Sequence, residues 1–326
     1  PDAGAFLDRV YINTFSTLPV GKARYGAMLR EDGFVMDDGT TSRLAQDHYF
    51  MTTTTANAAR VMQHLEFCHQ VLWPDLDVQM ISVTEQWSQY AIAGPRARAL
   101  LRNVVDGQFD VSNEGFPFLA AAPITICGGV RARLFRISFS GELAYELAVP
   151  ARYGDALLRA LMDAGAPLGV APYGTEALSV LRIEKGHAAG NELNGQTTAA
   201  DLGMARMMSA KKDFIGRVMA GRPALIDPDR PALIGFKPVA PKERLRAGAH
   251  LFKQGDAISP ENDAGYLTSV AFSPALGHWI GLGLLKGGAL RVGEIVRSYD
   301  PVREGDCLLE VCSPVFVDPK GERLHV

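Results

Sequence analysis

The chain has 326 residues, 47% of them hydrophobic and 21% charged, and a formal net charge of −3. That length allows two domains with cores of their own, and the charge balance gives no bulk reason to expect nucleic acid or an anionic membrane as a partner. No apolar run approaches the ~18 residues of a membrane helix. The four scattered cysteines (Cys68, Cys127, Cys307, Cys312) form neither a metal pair nor a disulfide framework, so reduced thiols in a cytoplasmic protein are expected.

The opening stretch "AGAFLDRVY" places Phe6, Leu7 and Val10 on one side of an amphipathic helix. It has no initiating Met or signal pattern before it, and it reads as the interior of a longer polypeptide. "RYGAML" and "GFVM" predict a hairpin around Glu31, Asp32 and Gly33. Asp38-Gly39 is a second turn signal, ahead of the β-branched strand "HYFMTTTT". Residues 56–72 carry helical spacing with Asn57 as a cap. "VQMISVTEQWSQYAIAG" predicts strands, and "PRARALLRNVV" a helix with Pro95 in its first turn.

"ITICGGVRARLFRISFSGELAYELAVP" predicts three strands joined by glycine turns, followed by helices stopped at Gly165 and Gly186. "GRPALIDPDRP" is a linker, and from Ala232 onward only short strands and Gly/Pro turns follow, the pattern of a β-barrel or sandwich. Hairpin-length connections point to an α+β protein with mainly antiparallel sheets rather than a doubly wound parallel sheet. The expected division is residues 1–225 and residues 226–326.

Four constellations stand out as site candidates, each beside a plainer reading. Asp37 and Asp38, with Tyr49 on the next strand, offer a carboxylate that could position a proton on an amine; a solvated turn pair is the plain alternative. Glu142 and Glu146 lie four apart among apolar residues, where an unpartnered carboxylate is costly, unless the strand is an exposed edge. "LRIEKGHAAGNEL" gathers Arg182, Glu184, His187, Asn191 and Glu192 around a helix end; there Arg182 and Glu184 most simply make helix-face ion pairs, and His187 reads as a structural or surface histidine rather than a catalyst. "LTSVAFSPALGHWIGLGLL" is explained by barrel packing alone. No dinucleotide fingerprint, phosphate loop, metal-ligand spacing or GxSxG elbow is present.

Taken in order, "GFVMDD", "YAIAGPRARALL", "FSGELAYELAVP", "LRIEKGHAAGNEL", "KKDFIGR" and "GYLTSVAFSPALGHWIGLGLL" resemble the aminomethyltransferase (glycine-cleavage T-protein) family of folate-binding proteins along nearly the whole chain. Within it, "YGTEALSVLRIEKGHAAGNELNGQTTAADLGM" is most similar to the branch formed by the C-terminal part of heterotetrameric sarcosine oxidase alpha subunits. The resemblance implies two folate-binding subdomains around a central channel, plus a C-terminal barrel. It implies that Asp38 acts beside the reacting nitrogens of tetrahydrofolate and that Glu146 holds the pterin. Tyr49, Asp37, Glu142 and Arg182 are then further folate-site residues.

The implied reaction captures the carbon of a sarcosine-derived iminium on tetrahydrofolate, giving 5,10-methylenetetrahydrofolate and glycine. Flavin and NAD would belong to missing regions or to flavin-bearing partner subunits. A freestanding aminomethyl- or methyltransferase and a non-catalytic folate-binding scaffold are the alternatives. Two departures matter. Leu178 stands where aminomethyltransferases usually have an arginine, and His187 stands where iron–sulfur-assembly relatives have a cysteine.

Overall fold

The computed structural model describes all 326 residues, Pro1–Val326. Helix α1 (Ala3–Val10) buries Phe6, Leu7 and Val10, as its spacing predicts. Strands β1 (Lys22–Leu29) and β2 (Val35–Ala45) form the expected antiparallel hairpin, and β3 (His48–Met51) completes a sheet of order β1-β2-β3. The turn closes with the Arg30 carbonyl accepting from the Gly33 N–H at 3.0 Å. Gly33 has φ +91, and a Cβ there would lie 2.6 Å from the Ala220 nitrogen, so only glycine serves.

The second turn signal is not a turn. Asp37, Asp38 and Gly39 lie inside β2, opposite Met28, Ala27 and Gly26, and the chain reverses only at residues 46–47. Gly39 is explained by proximity instead: a Cβ there would meet the Thr52 carbonyl oxygen at 2.1 Å. The β-branched run is a strand only to Met51, and a short 3-10 turn leads into α2 (Ala58–Phe67). Asn57 precedes that helix but makes no capping hydrogen bond.

No strand forms over residues 78–83; β4 (Trp87–Ala93) begins only where β7 is available to pair with it. Helix α3 (Ala97–Arg102) follows, then β5 (Ala121–Ile126), β6 (Val130–Phe135) and β7 (Ala144–Pro150), in a sheet of order β4-β7-β6-β5. Tyr145, Leu147 and Val149 of β7 point to one side, into a core shared with Leu134, Leu100 and Leu157. Helix α4 (Gly154–Gly165) ends at Gly165, as expected, and a separate 3-10 turn carries the chain on to the left-handed Gly169 (φ +71). Helix α5 (Thr175–Lys185) ends at a left-handed Gly186 (φ +76).

After the single turn α6 (Arg217–Ala220) comes the barrel: β8 (Pro231–Pro238), β9 (His250–Lys253), β10 (Gly265–Ser273), β11 (His278–Lys286), β12 (Ile295–Asp300) and β13 (Gly305–Cys312). It closes in the order β10-β11-β8-β13-β12-β9, every pair antiparallel, which removes the free strand edges. The observed class is therefore mixed α+β with antiparallel sheets and a C-terminal barrel. Beyond Cys312 the chain leaves the barrel again. The Phe316 and Val317 N–H groups donate to the Glu184 carbonyl, and the buried Arg136 guanidinium donates to the carbonyls of Leu324 and Val326. No helix is long and apolar enough to cross a membrane.

The two sheets meet through Ala23 of β1 and Ala121, Phe135 and Ala148 of the second sheet, with Leu44 and Phe50 packed against them. Phe50 stacks on Phe135 at a centroid distance of 5.5 Å. This contact decides which side chains face each other.

Candidate functional site

Residues directly opposite on paired strands share a face. On β1 and β2 one face carries Ala23, Tyr25 and Ala27 with Asp38, Thr40 and Ser42. At one end it is covered by the second sheet, through Ala23; at the other, Ala27 packs with Ala199, Leu202 and Phe214. Asp38 and Tyr25 lie between these coverings. The Tyr25 hydroxyl donates to Asp38 Oδ2 at 2.6 Å, and Met204 Sδ lies 3.9 Å from the same hydroxyl. Burial pushes the Asp38 carboxyl above the usual carboxylate range, against the hydrogen bond from Tyr25. Burial also raises the Tyr25 phenol, with the Asp38 charge adding to it, so this hydroxyl is a proton-bearing donor.

On the second sheet, Glu146 and Ala148 of β7 share a face with Gln89 of β4 and with Phe135 and Arg133 of β6. This is the face turned toward β1, because Ala148 and Phe135 pack on Ala23. Asp38 and Glu146 thus occupy the facing sides of the two sheets. Glu146 Oε2 accepts from the Gln89 amide, its one hydrogen-bond partner within the chain. No cation offsets its burial, which pushes its pKa up to about 7. Its charge in turn raises the phenol of Tyr173, in the segment before α5, although burial is the larger cause there. A carboxylate this short of donors suits a ligand that brings two N–H groups.

The other residues singled out from sequence are not brought to this space. Asp37, 1% exposed, takes the opposite face of β2, where it accepts from the Thr54 N–H at 3.1 Å and the Asn57 amide at 2.9 Å. It clamps the chain leaving β3, which is where the Asn57 side chain goes instead of capping α2. Tyr49 pairs with Arg43, on that same far face, with the guanidinium 5.3 Å from its ring centroid and its hydroxyl 3.4 Å from the Phe15 carbonyl. Glu142 precedes β7 beyond the left-handed Gly141, so it does not share the Glu146 register, and its carboxylate is paired with Arg323.

Arg182 is 6% exposed and committed: Nη1 to Glu192 at 3.0 Å, Nη2 to the Ser269 hydroxyl at 2.6 Å. It does not pair with Glu184, whose carboxylate accepts from the Ser273 hydroxyl at 2.6 Å. His187 stacks on Phe139, and its Nδ1 lies 3.0 Å from the Phe139 carbonyl; burial lowers its pKa, so the neutral ring donates there. Tyr25 is the site residue that sequence reading missed. Its signal was available: with the turn placed at residues 30–34, it falls diagonally across from Asp38 on one face.

Two family profiles divide the chain. Residues 1–212 match the GCVT N-terminal domain, and residues 232–318 match the glycine cleavage T-protein C-terminal barrel domain. The sarcosine oxidase subunit alpha of Rhizobium meliloti (strain 1021) is 56% identical, across 100% of this chain and 33% of its own length. That of Corynebacterium sp. (strain P-1) is 43% identical over 99% of this chain and 33% of its own length. The chain therefore spans about a third of the length of these relatives. The aminomethyltransferase of Chloroherpeton thalassium (strain ATCC 35110 / GB-78) is 32% identical over 87% of this chain and 74% of its own length. Among solved structures, the glycine cleavage system aminomethyltransferase T from Bartonella henselae superposes with a TM-score of 0.82, at 25% identity, covering 98% of this chain and 82% of that one.

Proposed function

The chain belongs to the glycine cleavage T-protein family, and we propose that within it the chain is the tetrahydrofolate-dependent part of a sarcosine oxidase. The reaction is transfer of the one-carbon unit of a sarcosine-derived iminium to tetrahydrofolate, yielding 5,10-methylenetetrahydrofolate and glycine. Residues 1–225 form the folate-binding region and 226–326 the barrel domain. Flavin and NAD chemistry is assigned to the rest of the longer polypeptide or to partner subunits, in the cytoplasm.

The observation that carries this reading is Glu146, a half-buried carboxylate with a single amide donor, on the face turned toward Asp38. Its donor deficit fits the ring N–H and amino group of a pterin, which would complete a bidentate, charge-assisted pair. Tetrahydrofolate supplies the amine nitrogens that accept the one-carbon unit. Asp38, oriented by Tyr25 and raised by burial, can hold or pass a proton at such a nitrogen. The reaction requires that water be kept from the iminium, which it would otherwise hydrolyse to formaldehyde.

Anaerobic calorimetry with tetrahydrofolate tests the reading in the full-length protein and its Glu146→Gln variant. At least tenfold weaker binding by the variant is expected. Equal affinity would remove Glu146 from the site and overturn the assignment.

A further inference from the structure

Strand β4 alternates across its sheet. Tyr90 and Ile92 go to the core, while Trp87, Gln89 and Ala91 take the face that carries Glu146. Trp87 packs into the junction between the two sheets, which fixes the direction of that face. Glu146 stands opposite Ala91, which offers it no polar side chain, and Gln89 stands opposite Ala148, one diagonal step away. From there the Gln89 amide donates to Glu146 Oε2.

The charged and titratable groups around Glu146 leave this task to Gln89. Arg133 shares the face, opposite Ala148 on β6, but its guanidinium lies 4.5 Å from the Phe50 ring centroid and 4.0 Å from that of Trp87, and it makes no ion pair with Glu146. On the facing sheet, Asp38 and Tyr25 are bonded to each other. Tyr173 feels the Glu146 charge without a hydrogen bond to it. The terminal torsion of a glutamate is broad, so a carboxylate with no donor turns freely. A donor on Oε2 stops that rotation, and it leaves open positions on both oxygens, because a carboxylate accepts about four hydrogen bonds.

Resting on the folate reading above, we propose that Gln89 is a positioning residue of the pterin site: its amide sets the plane of the Glu146 carboxylate and holds it in the charged form that accepts two N–H groups from one ring edge. Gln89 acts through Glu146 and not on the reacting atoms. It governs how tightly the ligand is held, and above which pH.

The test is anaerobic calorimetry with tetrahydrofolate between about pH 6 and 9, on the full-length protein and its Gln89→Leu and Gln89→Glu variants. Gln89 is solvent-exposed, so neither change disturbs the core. Wild-type affinity should level off near pH 7, where the Glu146 carboxyl titrates. Gln89→Leu removes the donor: binding at that pH should weaken about five- to tenfold, and the levelling-off should move up by about half to one pH unit. Gln89→Glu sets a second carboxylate beside the first and should move it further in the same direction. Unchanged affinity in Gln89→Leu, or a loss with the pH limb left where wild type has it, overturns the positioning role. Absence of wild-type binding at every pH overturns the folate reading instead, a distinct result.

Discussion

Two glutamates in this protein look alike in sequence, each set beside a leucine, and they end in opposite conditions. Glu192 is fully buried, and its carboxylate accepts from Arg182 at 3.0 Å, the Ala189 N–H at 2.9 Å, Thr268 at 2.5 Å and Ser269 at 2.7 Å. Glu146 is held by one amide. The first is mortar: helix α5, the loop after it and strand β10 all end on a single carboxylate whose capacity is filled. The second is a vacancy in hydrogen bonding that the fold maintains against the cost of burial. A saturated network specifies structure, and an unsaturated one marks a candidate ligand site.

The contrast can be broken in several ways. The largest effect is expected at Asp38, on the open side. Asp38→Asn should slow formation of 5,10-methylenetetrahydrofolate by about 10²–10⁴-fold in steady-state assays. Folate affinity should hardly move, and a collapse of binding would reclassify Asp38 as a holding group. Arg182→Gln attacks the saturated side. It leaves Glu192 buried without its cation and should destabilise the protein by about 3–5 kcal/mol in urea unfolding, with little change in the folate affinity of the folded fraction.

Glu146→Gln should weaken folate binding by about 1.5–3 kcal/mol while acting on stability in the opposite sense. The folded carboxyl titrates near 7 against an ordinary value of 4.5, so its favourable protonation is complete below the ordinary value and is lost as pH rises through 7. Above that pH the wild-type group is charged at a cost. The variant should therefore be more stable at pH 8, by on the order of 2 kcal/mol. Wild-type folate affinity should rise with pH up to about 7 and then level off, whereas the Gln variant should show no such limb. The smallest effect belongs to Tyr25→Phe. Losing the hydroxyl that favours the Asp38 carboxylate should move the acid limb of the pH–rate profile upward, at a cost of about 1 kcal/mol.

The architecture was largely legible because periodicity and turn chemistry are local. The hairpin at Glu31–Gly33, the three strands ending at Pro150, the stop at Gly186 and the barrel all follow from residues a few positions apart. What was not legible depends on partners distant in sequence. Asp38-Gly39 has the chemistry of a turn, yet Gly39 answers to the Thr52 backbone, and the aspartates continue a strand. Arg182 has the spacing for a helix-face pair, yet its acceptors are Glu192 and Ser269. Asp37 and Tyr49 keep company with Asp38 in sequence and lie across the sheet from it, because a strand sends neighbouring side chains to opposite faces.

The segment beyond the barrel has a consequence for the order of events in folding. Arg98 and Arg136 reach carbonyls that lie 228 and 188 residues further along the chain, and Phe316 fastens to the end of α5. Contacts of such separation close the longest loops, and they form after the local hairpins and helices have condensed. The contacts that fasten Arg98 and Arg136 to the tail are therefore expected among the last to form, once the barrel has been synthesised.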